Sequence, residues 1–264
     1  MLSVATLTVF PIKSLDGVAV PSVRLLPSGA ITGDRRFAFV DADGRFINAK
    51  RTAAMHRLRA EFEDFFVEDG LFSAVTLTSP DGVRLRFAGT NWKEDAEPYL
   101  SRYFGREVRV VENVETGFPD DLESPGPTLL STATIATVAD WFGLSTEETT
   151  RRFRANIVVA ATEPFAEDRL FGPAGSAPVI QVGAVPLVAV NPCQRCVVPT
   201  RDSTTGDVLT GFQKEFAQRR EAALPARVSR ERFNHYYRLA VNTRPLPGFA
   251  GGMIRQGDAV VPEN

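Results

Sequence analysis

Cys193 and Cys196 are the only cysteines in the 264 residues, and Arg195 stands between them. The thiolate is the reactive and metal-ligating form of cysteine, and a neighbouring cation favours it. A structural zinc centre needs four ligands, and His56 and His235 are the only histidines, so no such centre is expected. Each histidine reads as an ordinary surface or packed residue. A C-x-x-C pair can act as a redox dithiol, but such pairs open a helix after a strand. Here Val197-Val198-Pro199 follow, which open helices poorly. Two further readings stand beside it. The thiols can be small, buried and inert, or one thiolate can ligate a soft metal while the arginine holds an anionic cofactor.

The basic residues bear on the last reading. Lys13, Arg35, Arg154, Arg195 and Arg201 fall at expected strand ends or turns, outside any charge run. Arginine suits bidentate phosphate binding and lysine a point-charge contact. Ser131 or Thr132 can cap a helix whose free N–H groups suit a phosphate. Gathered beside a cysteine, these groups would form an anion pocket; spacing alone does not gather them.

The elements that must do so are mostly strands. Residues 2–10, 18–26 and 37–40 alternate or run apolar between Pro, Gly and Asp signals, and read as strands. Asp41-Ala42-Asp43-Gly44 reads as a hairpin turn into a strand at Phe46-Ile47. Further strands are expected at 58–66, 75–78, 83–87, 108–111, 157–160, 180–182, 185–190, 197–198, 236–242 and 259–261. The two thiols would then lie in a turn between strands. Helices are expected at 92–104, stopped by Gly105; at about 132–142, stopped by Gly143; from the Ser145-Thr146-Glu147-Glu148 capping box to Phe153; and at 211–220. Short strands at this spacing suggest barrels or sandwiches. The Pro-, Gly- and Asp-rich stretch 118–127 is the expected linker.

Composition is that of a globular protein, 44% hydrophobic and 23% charged. A net charge of −2 implies no pull toward nucleic acid. No apolar run is long enough to span a bilayer, and the first residues lack an export signal. Two cysteines point to a cytoplasmic location rather than a disulfide framework.

Five segments together resemble the MOSC family. Cys193-Gln194-Arg195-Cys196-Val197-Val198-Pro199-Thr200-Arg201-Asp202 with Thr205-Gly206 is similar to its cysteine signature. Phe10-Pro11-Ile12-Lys13-Ser14 with Gly17 resembles the "YPIKS…G" opening of the MOSC N-terminal β-barrel domain, and Gly33-Asp34-Arg35-Arg36-Phe37 its "DR(R)W/F" strand. Leu129-Leu130-Ser131-Thr132-Ala133-Thr134 and Phe153-Arg154-Ala155-Asn156-Ile157-Val158 resemble the "hLLSxxS" and "FRPNIV" segments. The order holds over nearly the whole chain, and mitochondrial amidoxime-reducing components and their bacterial counterparts are the relatives it resembles.

The resemblance implies an α+β, strand-rich fold: an N-terminal β-barrel domain, residues 1–117, and a MOSC β-barrel domain, residues 118–264, with a few packed helices. It implies a molybdenum cofactor (Mo-molybdopterin) in a cleft between them. Cys196 would be the metal ligand and catalytic cysteine, with Lys13, Ser14, Arg35, Ser131, Thr132, Arg154, Asn156 and Arg195 on the phosphate or pterin. The implied reaction is two-electron reduction of amidoximes, hydroxamic acids and N-hydroxylated bases, the metal cycling between Mo(VI) and Mo(IV). Two cysteines cannot hold an iron–sulfur cluster. Electrons are therefore expected from a separate protein, ferredoxin-like, cytochrome b5-like or a flavin reductase. The chain is expected to act as a monomer, without nucleic acid or membrane. Ala155 replaces the family's proline between two retained contacts, and Pro199 and Arg201 stand where the reductases tend to have Thr and Val. The alternative is a non-enzymatic carrier of the cofactor or of persulfide sulfur on Cys196.

Overall fold

The computed structural model describes residues 2–263. Its centre is a closed barrel of seven strands. Around the wall these are Ile157–Ala160, Leu129–Ser131, Arg238–Pro245, Val185–Gln194, Val179–Val182, Ala259–Pro262 and Leu2–Val9, which pairs back onto Ile157–Ala160. All neighbours are antiparallel except Leu129–Ser131 and Ile157–Ala160, which run parallel in the register Ile157↔Leu129. The expected strand-rich α+β class is the observed one.

Most wall strands are rich in β-branched residues, Leu129–Ser131 being the exception, and they send alternate side chains inward. Leu7, Leu129, Ile157, Ile180, Leu187, Val241 and Val260 meet inside and are almost wholly buried. A barrel of this size is filled by its own side chains. A sizeable ligand must therefore sit outside the lumen.

The rest of the N-terminal half packs beside the barrel around an aromatic core. Phe37 touches Phe72 and Trp92 edge-on, with ring centroids 5.8 and 5.0 Å apart. Its strands form small sheets: Phe37–Val40 with Arg109–Glu112, and the meander Arg59–Glu63, Ala74–Thr78 and Arg84–Ala88. The helix Trp92–Phe104 closes this core and ends at Gly105, φ 64°, the left-handed C-terminal turn that its sequence signals. A third cluster joins the helices Thr132–Phe142 and Phe212–Ala222 to Phe153 outside the barrel. No helix among the described residues is long and apolar enough to cross a membrane.

Several expectations are corrected. Residues 18–26 break at Pro21 into Val18–Val20 and Ser22–Leu25, because proline has no N–H for the ladder. Phe46 makes only a single bridge to Val40. Val197-Val198 is not a strand: Val198–Thr200 is a turn of 3-10 helix with proline in its first turn. The preceding strand runs on to Gln194, through irregularities at Ala189/Asn191 and Pro192/Gln194. The strand Gly252–Arg255, paired with Ser22–Leu25, was not expected.

Candidate functional site

One large cleft, about 1410 Å³, lies where the barrel meets the aromatic half. The two parallel barrel strands begin at it, since Thr128 and Asn156 line it, and run away from it. Lysine and arginine outnumber carboxylates in its lining by eleven to six, although the chain carries a net −2.

Cys193 is the penultimate residue of Val185–Gln194, so it belongs to a strand rather than a turn. Cys196 lies just beyond, in the loop before the 3-10 turn. The Tyr237 hydroxyl donates to the Cys196 carbonyl at 3.2 Å, and the Arg195 N–H donates to the Tyr237 carbonyl at 3.1 Å, which fixes the loop. Arg195 Nη2 donates to the Phe153 carbonyl at 2.5 Å, and its Nη1 lies 3.3 Å from Cys193 Sγ. Both thiols are half-buried and unpaired, and both line the cleft.

Arg154 caps the helix Thr146–Phe153 in the left-handed conformation, φ 51°. Its guanidinium stacks 4.1 Å over the Phe10 ring and donates to the Leu15 carbonyl at 2.6 Å. Burial, reinforced by the charge of Arg35, brings its pKa down to about 10. Arg35 is ion-paired to Asp34 and lies 5.3 Å from the same Phe10 ring. Two like charges are thus held over one ring. Ser14 and Arg35 have φ of 72° and 50°. Outside glycine, such conformations cost about 1–3 kcal/mol each and cluster at functional sites.

Lys13 is almost buried; its ammonium donates to the Phe118 carbonyl at 2.8 Å and to Asp120 at 2.6 Å. Burial lowers its pKa, while Asp120 resists. Burial pushes the Asp120 carboxyl up, but Lys13, Lys50 and Arg35 outweigh that and hold it at about 2. The Ser14 hydroxyl accepts from the Ala49 N–H at 3.2 Å. Asn156 reaches across the junction to the Thr8 carbonyl and to Asp34, at 3.2 and 3.0 Å.

The cleft therefore gathers Lys13, Ser14, Arg35, Arg154, Asn156, Arg195, Cys196 and Arg201. It does not gather Ser131 and Thr132. Ser131 ends a buried barrel strand on the side away from the cleft, and its hydroxyl caps the next helix at the Thr134 N–H, 3.2 Å. Thr132 bonds the Ala161 backbone instead. A strand start and a helix start carry similar sequence signals, but three residues of strand displace the second by about 10 Å. Sequence reasoning missed Lys50, Ser124, Asp120 and Arg238, which also line the cleft. The linker's Pro, Gly and Asp content marked only irregular backbone.

Three buried polar atoms here have no partner: Arg154 Nη2, Arg195 Nε and Ser124 Oγ. Buried donors are normally paired, so these three are open to a ligand that brings acceptor oxygens. Among the described residues, no cluster of three or more His, Cys, Asp or Glu could hold a metal alone. A metal at Cys196 would need most of its ligands from elsewhere. An anionic group bringing its own metal fits this donor set.

Residues 1–107 match the family model of the MOSC N-terminal beta barrel domain, and residues 128–261 match that of the MOSC domain. The chain belongs to the MOSC family. Among curated proteins it is 27% identical over 225 residues to a molybdenum cofactor sulfurase of Caenorhabditis elegans. The match covers 78% of this chain and 30% of that protein, so the chain spans under a third of the relative. In this MOSC protein the first strand, Leu2–Val9, lies within the N-terminal match yet completes the barrel of the second. Residues 108–127, between the two matches, carry a segment that lines the cleft.

Proposed function

We propose that this MOSC protein binds a molybdenum cofactor in the cleft, with Cys196 as the protein ligand, and reduces N-hydroxylated compounds with electrons from a separate protein. A function related to the molybdenum cofactor draws support from the MOSC match and from the similarity to a molybdenum cofactor sulfurase. The observation that carries the reading is local: a half-buried cysteine shares one wall with guanidinium groups whose buried nitrogens lack partners.

When bound, the cofactor supplies the two-electron chemistry, in which N–OH, two electrons and two protons give N–H and water. The chain's own part is to hold and orient. Arg35, Arg154 and Lys13 set a positive field for a phosphate. Arg154 and Arg195 are held by carbonyls of Leu15 and Phe153, so their remaining N–H groups stay aimed without reorganising. The Tyr237 bond to the Cys196 carbonyl fixes the ligand loop. The 1410 Å³ of the cleft leaves room for a small substrate beside a cofactor.

The test is metal content after production in a host that makes the cofactor. Near-stoichiometric molybdenum is expected in the parent, most of it kept in Cys193→Ala and little in Cys196→Ala. The parent should then reduce a model amidoxime with an artificial donor. Equal molybdenum in the Cys196→Ala protein would overturn the assignment of the ligand. Molybdenum in neither, with a persulfide on Cys196, would favour a sulfur carrier.

A further inference from the structure

The segment joining the two family matches lines the cleft at residues 116, 119–122 and 124–127, and it is pinned at two glycines. A Cβ on Gly117 would sit 2.3 Å from the Asp34 carbonyl oxygen, and one on Gly126 2.5 Å from Thr243 Oγ1. The neighbouring bonds agree: the Phe118 N–H donates to the Arg35 carbonyl at 2.8 Å, and the Gly126 N–H to the Thr243 carbonyl at 3.0 Å. No strand or helix forms between Glu112 and Leu129. Leu122, at the middle of the strap, is 79% exposed and anchors nothing.

Phe118 packs edge-on against Phe46 at 5.5 Å near one anchor, and the middle of the strap is held by charge. The Asp120 carboxylate takes Lys13 Nζ at 2.6 Å on one oxygen and Lys50 Nζ at 3.2 Å on the other. Asp121 adds a bond from Asn242 at 3.3 Å. Two ammonium groups converging on two oxygens of one anion is the arrangement that would receive a phosphate. The Lys13 side chain is nearly buried and that of Lys50 more than a third exposed, and among the described residues Lys50 makes no other ion pair.

We propose that Lys13 and Lys50 form an exchangeable anion seat, occupied internally by the Asp120 carboxylate, which a phosphate or pyrophosphate group displaces on binding. Displacement frees the strap between its glycine anchors, so entry of the ligand and release of the strap are one event. Lys50 then becomes a binding residue, and Asp120 a built-in competitor that rejects weak anions. The proposal rests on the cofactor reading only for the identity of the phosphate carrier; the seat stands on the geometry of three side chains.

The experiment titrates inorganic pyrophosphate into the full chain, produced in a host without cofactor synthesis, at two ionic strengths. Asp120→Asn preserves the shape of the side chain and removes its charge. It should bind pyrophosphate about tenfold more tightly than the parent, and Lys50→Ala in that background should abolish most of the gain. Limited proteolysis reads the strap directly: pyrophosphate should expose the 118–125 segment in the parent, and Asp120→Asn should be cut as fast without it. Unchanged affinity in Asp120→Asn, with unchanged cleavage, would overturn the seat. Separately, molybdenum content from a cofactor-making host reports the carrier. Pyrophosphate exchange intact but no molybdenum in parent or variants would retain the seat and reject the cofactor.

Discussion

Arg154 is the residue where binding and stability pull apart. Its guanidinium is buried, one nitrogen has no partner, and Arg35 shares its ring. Taking such a charge out of water costs several kcal/mol before its contacts offset any of it. The left-handed backbone at φ 51° adds a further cost. Neither serves the fold of the chain alone. Methionine at this position keeps the length of the side chain and the packing on Phe10 while removing the charge. Arg154→Met is therefore expected to leave the unfolding free energy unchanged or to raise it by about 1 kcal/mol. Its affinity for pyrophosphate should fall at least about tenfold. Urea unfolding and the pyrophosphate titration measure the two. A loss of more than about 2 kcal/mol in stability would mean that the Leu15 carbonyl bond holds the junction together. At this scale the sequence was informative in type and blind in place. Arg154 and Arg195 read as guanidiniums at strand ends or turns, and the family resemblance puts them on the cofactor. Ser131 reads as a helix start whose free N–H groups suit a phosphate, and the direction of its strand removes it from the cleft.

Between elements, the link from the helix Thr132–Phe142 to the 3-10 turn Ala166–Leu170 passes through a buried acid. The Thr134 hydroxyl donates to Glu167 at 2.9 Å while accepting from the Phe165 N–H at 2.6 Å. Burial, then the neighbouring Asp168 carboxyl, push the pKa of Glu167 from 4.5 up to about 7. Asp168 is itself raised by burial, with the buried Arg220 opposing. Glu167 thus holds its proton more tightly folded than unfolded. From pH 4.5 to about 7 the folded state binds more protons, so stability falls as pH rises through this window and levels above it. Glu167→Gln, a permanent mimic of the neutral acid, should flatten that decline, on the order of 2–3 kcal/mol. Urea unfolding at pH 4.5, 6 and 8 checks it; an unaltered slope in the variant would remove Glu167 as the cause. Helices were the best-read elements, because their ends carry local chemistry: Gly105 and Gly143 at left-handed C-termini, Ser145 at an N-terminus. Gly252–Arg255 went unread because its pairing with Ser22–Leu25, rather than its own short sequence after Gly251, makes it a strand.

At the scale of the whole molecule, the first strand decides what can fold. Leu2–Val9 hydrogen-bonds to Ile157–Ala160 on one side and to Ala259–Pro262 on the other. Local sequence marks it as a strand, and Val18–Val20 pairs with it nearby, but the partners that close the barrel lie 150 residues or more along the chain, and no periodicity encodes that pairing. The 118–264 segment alone would keep six of the seven barrel strands and expose two open edges around a core missing Val4, Leu7 and Val9. An open apolar edge is a template for aggregation, and the loss of three buried side chains is several times the cost of one large-to-small substitution, about 2–5 kcal/mol each. Total stabilities of about 5–15 kcal/mol do not survive such a loss. The 118–264 chain is expected to be insoluble or molten, whereas the full chain should unfold in a single transition. Circular dichroism melts and size-exclusion chromatography of both chains measure this. A monomeric 118–264 chain with a cooperative melt would show that the barrel can close without its first strand. The cleft is then reached by the same logic: its cationic walls come from both sides of a junction that exists only once the N-terminal strand has been threaded into the barrel, so binding competence and global folding arise together.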